Sequence, residues 1–401
     1  GLIIDHWEVD GDLVTLEDEI GEGAFGKVYK GTLVKPTNVS PQKFCLKPWK
    51  KTVKTISGSE TYVVAVKMLH TLPDEVVRQD FLEEIQLMKA VGSHKNIVNM
   101  VGCCTVEEPV FLLVEYAPYG DLLHYLRKHR KTVLVYYFHL FKFRRSIMLF
   151  RGEGNKRICF NTPMSKAELG CSNTFTTPED QIETSLNTEE EEKEDCNEDI
   201  LTPGNLMAFA WHICQGMEYL ARNGYVHRDL AARNVLIGEK KIAKVSDFGL
   251  SRHVYEEKVY HCKRNKKLPF KWMSTEAIFD HTFTTKSDVW AFGVVLWEIA
   301  TLGGTPYPTI ESEELFRLLK NGYRMEKPDT CNEELYKMMQ DCWQDSPENR
   351  PTFTQILESL ETIMQKENPY LYLTAADESQ AEYNVRSFDN MAKESDDDQR
   401  E

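Results

Sequence analysis

No run of apolar residues in this 401-residue sequence approaches the roughly 18 that a membrane-spanning helix needs; the longest candidate, VLVYYFHLF at 133–141, is too short. No leader-like stretch is read within these residues, and the lone Asn38-Val39-Ser40 triplet is expected to be a chance match rather than a glycosylation site. The sequence starts at Gly1 rather than Met, which leaves open a membrane span upstream of it. The ten cysteines form no CxxC pair and no disulfide-like spacing, and the reading is reduced thiols in a cytosolic compartment. Positive charge is in deficit: 48 Lys plus Arg against 63 Asp plus Glu leave a net charge of −15, which argues against nucleic acid as a partner.

What is present divides into two unlike halves. LVTLEDEI (13–20), the glycine-rich GEGAFG and KVYKGTL read as strand, turn and strand. A polar loop over 35–60 precedes a third strand, YVVAVKML at 62–69. Residues 75–91 carry Val76, Val77, Phe81, Leu82, Ile85 and Met88 at helical spacing, and strands are expected at 97–104 and 110–116. From 205 onward the pattern is helical. LMAFAWHICQGMEYLARNG ends in an Asn-Gly stop, and DVWAFGVVLWEIATLG is apolar nearly all round, as a helix inside a core would be.

Between the halves, 129–203 fits neither. Its first part is basic and aromatic, and its second carries EEEEKEDCNED, a like-charge block expected to stay unfolded. The tail beyond 366 is again acidic and polar.

Certain polar residues interrupt these patterns in a telling order. GEGAFGKV places glycines at 21, 23 and 26. A dinucleotide site needs a helix after such glycines; here a strand follows, so backbone N–H groups can approach a triphosphate from between two antiparallel strands. Lys67, in the apolar strand VAVK, needs an anionic partner. Glu84 lies on the inward stripe of the 75–91 helix and Glu83 nearer its edge, so Glu84 is the expected partner. In HRDLAARN (227–234), Asp229 can take the proton of an attacking hydroxyl and Asn234 can offer a neutral oxygen to a metal. Asp247, followed by Phe248 and Gly249, suits a magnesium-binding acid, and the apparent hairpin VLI…KIAKVS would return it to Asn234. A phosphate cradle, a cation, a base and metal oxygens are the parts of a phosphoryl-transfer site.

Across 13–365, apart from the insertions, GEGAFGKV, VAVK, HRDLAARN, DFG and SDVWAFG resemble the signatures of protein kinases. The resemblance narrows to tyrosine kinases, because AAR precedes Asn234 and because of LPFKWMSTEA and DCWQDSPENRPTF. WEV, HKNIVNMVGC, GGTPYP and GDLLHYLRKHR are similar to the split-kinase receptors of the fibroblast, vascular endothelial and platelet-derived growth factor type. That likeness implies an α+β, bilobal fold: a small β-rich lobe with one helix and a larger helical lobe. The implied organisation is 1–12 as a juxtamembrane-like segment, 13–128 as the small lobe, hinge and start of the large lobe, 129–203 as the kinase insert, 204–366 as the rest of the large lobe and 367–401 as the tail.

The resemblance also implies roles. ATP would be held by Gly21, Glu22, Gly23 and Gly26, by Lys67 oriented by Glu84, and by hinge backbone at Glu115 and Ala117. Val28, Ala65 and Leu236 would pack the purine, with Val114 as gatekeeper. Asp229 would be the base, Arg233 its tyrosine-class assistant, Asn234 and Asp247 the ligands of Mg2+, and Glu276 with Arg350 a structural brace. Tyr260 and Tyr255 match activation-loop phosphorylation positions, with Arg252, Lys263 and Arg264 available to hold the phosphate. Tyr370, Tyr372 and Tyr383 would dock SH2-type adaptors once phosphorylated. Implied partners are tyrosine-bearing proteins and a second copy of the chain acting in trans, at the cytoplasmic side of the plasma membrane. Two other readings are a non-receptor tyrosine kinase and a pseudokinase; the second conflicts with the intact Lys67, Asp229, Asn234 and Asp247. One departure stands out: Ser274-Thr275 precede Glu276 where the family pattern has Ala-Pro.

Overall fold

The structure, a computed structural model, describes residues 5–23, 25–35, 60–70, 73–130, 201–248, 252–253 and 268–366. Alternating β-branched and polar residues in KVYKGTLVK and ETYVVAVKM favour pleated strands that bury one face. Strands β1 (Val14–Glu22), β2 (Lys27–Lys35), β3 (Glu60–Met68), β4 (Met100–Cys104) and β5 (Phe111–Glu115) form an antiparallel sheet in the order β1-β2-β3-β5-β4. Gly21 and Glu22 belong to β1, so the turn itself is confined to Gly23–Gly26.

Helix α1 (Glu75–Val91) crosses between β3 and β4, capped by Asp74, whose carboxylate accepts from Val77 N at 2.9 Å. It buries Phe81, Glu84, Ile85 and Met88 against the sheet. Val76 departs from the expected inward set: it sits in the first turn and stays exposed. The strand expected at 97–104 begins only at Met100, because Asn99 Nδ2 donates to His94 O (3.0 Å) and Ile97 O (2.8 Å) and folds that stretch into a turn. Residues 7–9 run beside β4, with Val9 N to Cys103 O and Cys103 N to Trp7 O both at 2.8 Å.

The larger lobe is built on α5 (Thr285–Ala300), buried throughout from Ser287 to Ala300. Around it lie α2 (122–130 among the described residues), α3 (Pro203–Arg222), α4 (Thr275–Phe279), α6 (Ser312–Lys320), α7 (Glu333–Cys342) and α8 (Phe353–Met364). Helix α3 starts two residues ahead of its expected position because Thr202 and Asn205 form a capping box with Pro203 at the first turn. A Cβ on Gly293 of α5 would lie 2.7 Å from Trp343 Nε1, so only glycine admits this approach. His129 and Leu201, inside the boundaries expected for the insert, are buried, and Arg130 Nε donates to Leu302 O at 3.1 Å. Residues 131–200, the loop over 36–59 and the tail beyond 366 lie outside the described residues.

Four short strands complete the frame for the site. Strands β6 (Tyr225–Val226) and β9 (Arg252–His253) pair, and β7 (Val235–Ile237) pairs with β8 (Ala243–Val245). No helix among the described residues is long and apolar enough to cross a membrane.

Candidate active site

From the sheet, β3 carries Lys67 toward α1, where its ammonium lies 2.8 and 3.0 Å from the two Glu84 oxygens. Glu83, one residue earlier, faces solvent. Burial works against the charged amine, but Glu84 and Asp247 outweigh it and hold the Lys67 pKa above its ordinary value. Above this pair sits the glycine turn. Gly26 has a φ of +156°, and a Cβ there would fall 2.1 Å from Met68 O, so the turn can lie this close to β3 only with glycine. Phe25, between the glycines, is buried, with its ring 5.5 Å from Phe81 and 4.9 Å from Lys67 Nζ.

The expected purine-packing residues come from both lobes. Ala65 pairs with Val114 across β3 and β5, and Val28 with Lys67 across β2 and β3. Leu236 on β7 is bridged to Asp121, and Ile237 N donates to Gly120 O at 2.8 Å, so β7 lies against the segment that follows Ala117. The Glu115 carboxylate is engaged elsewhere. It lies 2.9 Å from Lys244 Nζ and accepts from Asn99 N (2.9 Å) and Asn99 Nδ2 (2.8 Å), while Glu115 N donates to Asn99 O at 3.1 Å.

The catalytic loop of the larger lobe has an unfavourable backbone that buried acids stabilise. Arg228 has a φ of +71°, strained for a side-chain-bearing residue. Asp288 of α5 holds it by accepting from His227 N (2.7 Å) and Arg228 N (2.9 Å). His227, fully buried, places Nε2 3.0 Å from Ser246 O and accepts from Asp229 N at Nδ1 (3.3 Å). Asn234 Nδ2 donates to Asp229 O at 2.7 Å, and the side-chain oxygen of that amide can act only as an acceptor. The β7–β8 hairpin brings Ser246 back so that its N and Oγ both reach Asn234 O at 2.9 Å, and Asp247 follows at a φ of +60°.

Arg233 Nη2 pairs with Asp229 Oδ1, and its guanidinium carbon lies 4.3 Å from the Trp272 ring centroid. Burial raises the Asp229 carboxyl to about 6, with Arg233 pulling it down and Asp247 pushing it up. The charge of Asp247 acts on both Lys67 of the small lobe and Asp229 of the larger one, and Asn234 is bonded to the Asp229 backbone.

Two neutral or anionic oxygens, from Asn234 and Asp247, match a hard divalent cation that completes its shell with water and phosphate. No cluster of three or more His, Cys, Asp or Glu that could bind a metal alone occurs among the described residues. Glu276 and Arg350 form a two-pronged pair (2.6 and 2.8 Å), and burial of the acid is outweighed by Arg350, which holds Glu276 below its usual range. With Ser274 in an extended conformation before it, α4 forms without the proline.

A sequence profile for "Protein tyrosine and serine/threonine kinase" matches residues 14–360. The chain belongs to that family. It is 39% identical over 370 residues to the tyrosine-protein kinase receptor torso of Bombyx mori, covering 92% of this chain and 40% of that protein. It is 37% identical over 368 residues to fibroblast growth factor receptor 1 of Pleurodeles waltl and of Xenopus laevis, each time over 92% of this chain and 36% and 37% of theirs. The chain thus spans about two fifths of the length of these relatives. Kinases of this family use ATP with a divalent metal, which fits the donor set above.

Sequence reasoning did not single out His227, Asp288, Glu298, Trp272 or Phe25. Asp288 and Glu298 left a signal: they are the acids of an otherwise apolar core helix, and buried acids need donors. Tyr255, Tyr260, Lys263 and Arg264 lie outside the described residues, as do Tyr370, Tyr372 and Tyr383, and Arg252 is described in its backbone alone.

Proposed function

We propose that the chain is the catalytic region of a receptor-type protein tyrosine kinase, moving the γ-phosphate of ATP to tyrosine hydroxyls of proteins. The convergence of Lys67, Asp229, Asn234 and Asp247 between the lobes carries this reading. Lys67, held by Glu84, binds the α- and β-phosphate oxygens. Val28, Ala65 and Leu236 enclose the purine beside Val114, with backbone at Glu115 and Ala117 binding its edge and Gly21, Glu22, Gly23 and Gly26 covering the phosphates. Asn234 and Asp247 hold magnesium, which supplies charge neutralisation at the phosphate oxygens. Asp229 orients the tyrosine hydroxyl and takes its proton, with Arg233 beside it. Placement and charge, rather than covalent help, supply most of the rate.

In the same reading, the region sits at the cytoplasmic side of the plasma membrane through a segment upstream of Gly1. Two copies phosphorylate each other in trans at Tyr260 and Tyr255, and phosphotyrosines in the tail recruit SH2-type adaptors. The kinase insert lies within residues 129–203, between the two portions of the catalytic region.

The test is phosphate transfer to a Glu/Tyr copolymer by the parent chain and by Asp229→Asn. Removing the base is expected to lower kcat by about 10²–10⁴-fold while leaving nucleotide affinity within a few-fold. Equal turnover of parent and variant would remove Asp229 from the chemistry.

A further inference from the structure

A residue outside the phosphate-binding set reaches the proposed base through one intermediate. Trp272 lies in a single turn of 3-10 helix, Phe270–Trp272, directly before α4. Its indole N–H donates to Glu298 Oε2 at 2.9 Å, and the same oxygen accepts from Ala232 N at 2.9 Å. One carboxylate of the core helix therefore ties the indole to the backbone of the loop that bears Arg233. The Arg233 guanidinium rests on the indole face, 4.3 Å from its centroid, and one of its nitrogens is paired with Asp229.

We infer that Trp272 is a positioning residue for phosphate transfer: anchored by Glu298, its ring is the platform that aims the Arg233 guanidinium at Asp229. An arginine side chain has many rotamers, and a third of this one is exposed, so the Asp229 contact alone leaves the far side of the guanidinium unrestrained. A planar cation stacked on an anchored indole loses that freedom before substrate arrives. The tyrosine acceptor then meets a base whose neighbour is already placed, which belongs to kcat for the protein substrate and not to nucleotide binding.

This inference rests on the kinase reading, and a double-mutant cycle separates the two. The full chain is assayed with a Glu/Tyr copolymer as parent, Trp272→Leu, Arg233→Ala and the pair. Losing the platform is expected to cut kcat about threefold to thirtyfold, the span of a stacked cation, with KM for ATP unchanged within twofold. In the Arg233→Ala background the same change is expected to cost less than about twofold, because two residues acting as one unit do not add. Trp272→Phe, which keeps a smaller ring and loses the donor to Glu298, runs the same cycle where the leucine variant does not fold. A full loss repeated in the Arg233→Ala background, or a rise in KM for ATP that matches the loss in kcat, overturns the inference while the kinase reading stands. An inactive parent overturns both.

Discussion

The two lobes secure their share of the site by opposite means. In the small lobe side-chain ion pairs hold α1, Lys67 with Glu84, Arg78 with Glu108 and Lys89 with Asp5, and the helix otherwise meets the sheet through Phe81, Ile85 and Met88. In the large lobe, Asp288 and Glu298 project from a fully buried helix and bind backbone N–H groups of the catalytic loop, while Arg350 and Glu276 lock the base of α4. A side-chain pair between two elements lets them part and rejoin. Backbone donors held by buried carboxylates have nowhere else to go, since opening them strands several polar groups at once. The contrast makes the large lobe a fixed base and α1 the adjustable part.

The sharpest way to break that contrast is at Arg350, whose side chain is fully buried. It donates to both Glu276 oxygens, to Gln344 O (2.8 Å) and to Lys286 O (3.0 Å), and stacks on Trp290. Arg350→Met leaves Glu276 without its counter-ion and is expected to cost about 3–5 kcal/mol, a Tm drop of about 6–20 °C. Melting within 2 °C of the parent would show that the large lobe does not depend on buried charge.

Glu84→Gln tests the other side. The amide can still accept from Lys67 but no longer carries the charge that opposes burial of the ammonium. The expected loss is about 1.5–3 kcal/mol of transition-state stabilisation, roughly 10–150-fold in kcat/KM, with Tm within about 3 °C of the parent. A fall in Tm as large as that of Arg350→Met would mean that α1 is as fixed as the core helix.

The same contrast explains which of these residues the sequence displays. Lys67, Glu84, Asp229, Asn234 and Asp247 are polar residues that interrupt strong apolar or turn patterns, so sequence alone marks them, and α1 was located to its ends by its periodicity. The supports were harder. Asp288 acts on the backbone N–H groups of His227 and Arg228, 61 and 60 positions away, which sequence does not display, and His227 acts on the Ser246 carbonyl, 19 positions away. Trp272 matters through a ring face, and nothing in LPFKWMSTEA says which residue will lie on it. The position of Phe25 depends on a glycine turn folding back onto α1, a tertiary choice that local pattern cannot carry.

The smallest expected effect comes from Glu298. Its Oε2 accepts two N–H donors, while Oε1 has no partner among the described residues. Burial raises its carboxyl to about 7, against the pull of Trp272, Ala232, Arg233 and Arg127. A carboxyl raised on folding contributes its full stability below its ordinary value near 4.5 and loses it as pH rises through about 7. Glu298→Gln keeps an oxygen for both donors and has no proton to lose. The variant should melt within about 1–2 °C of the parent near pH 4.5, gain on it as pH rises toward 7 and level off above that, by about 2–4 °C for each kcal/mol of ionisation cost removed. A Tm difference that stays flat across that range would mean the acid is ionised throughout, and that the donors from Ala232 and Trp272 already stabilise a buried carboxylate.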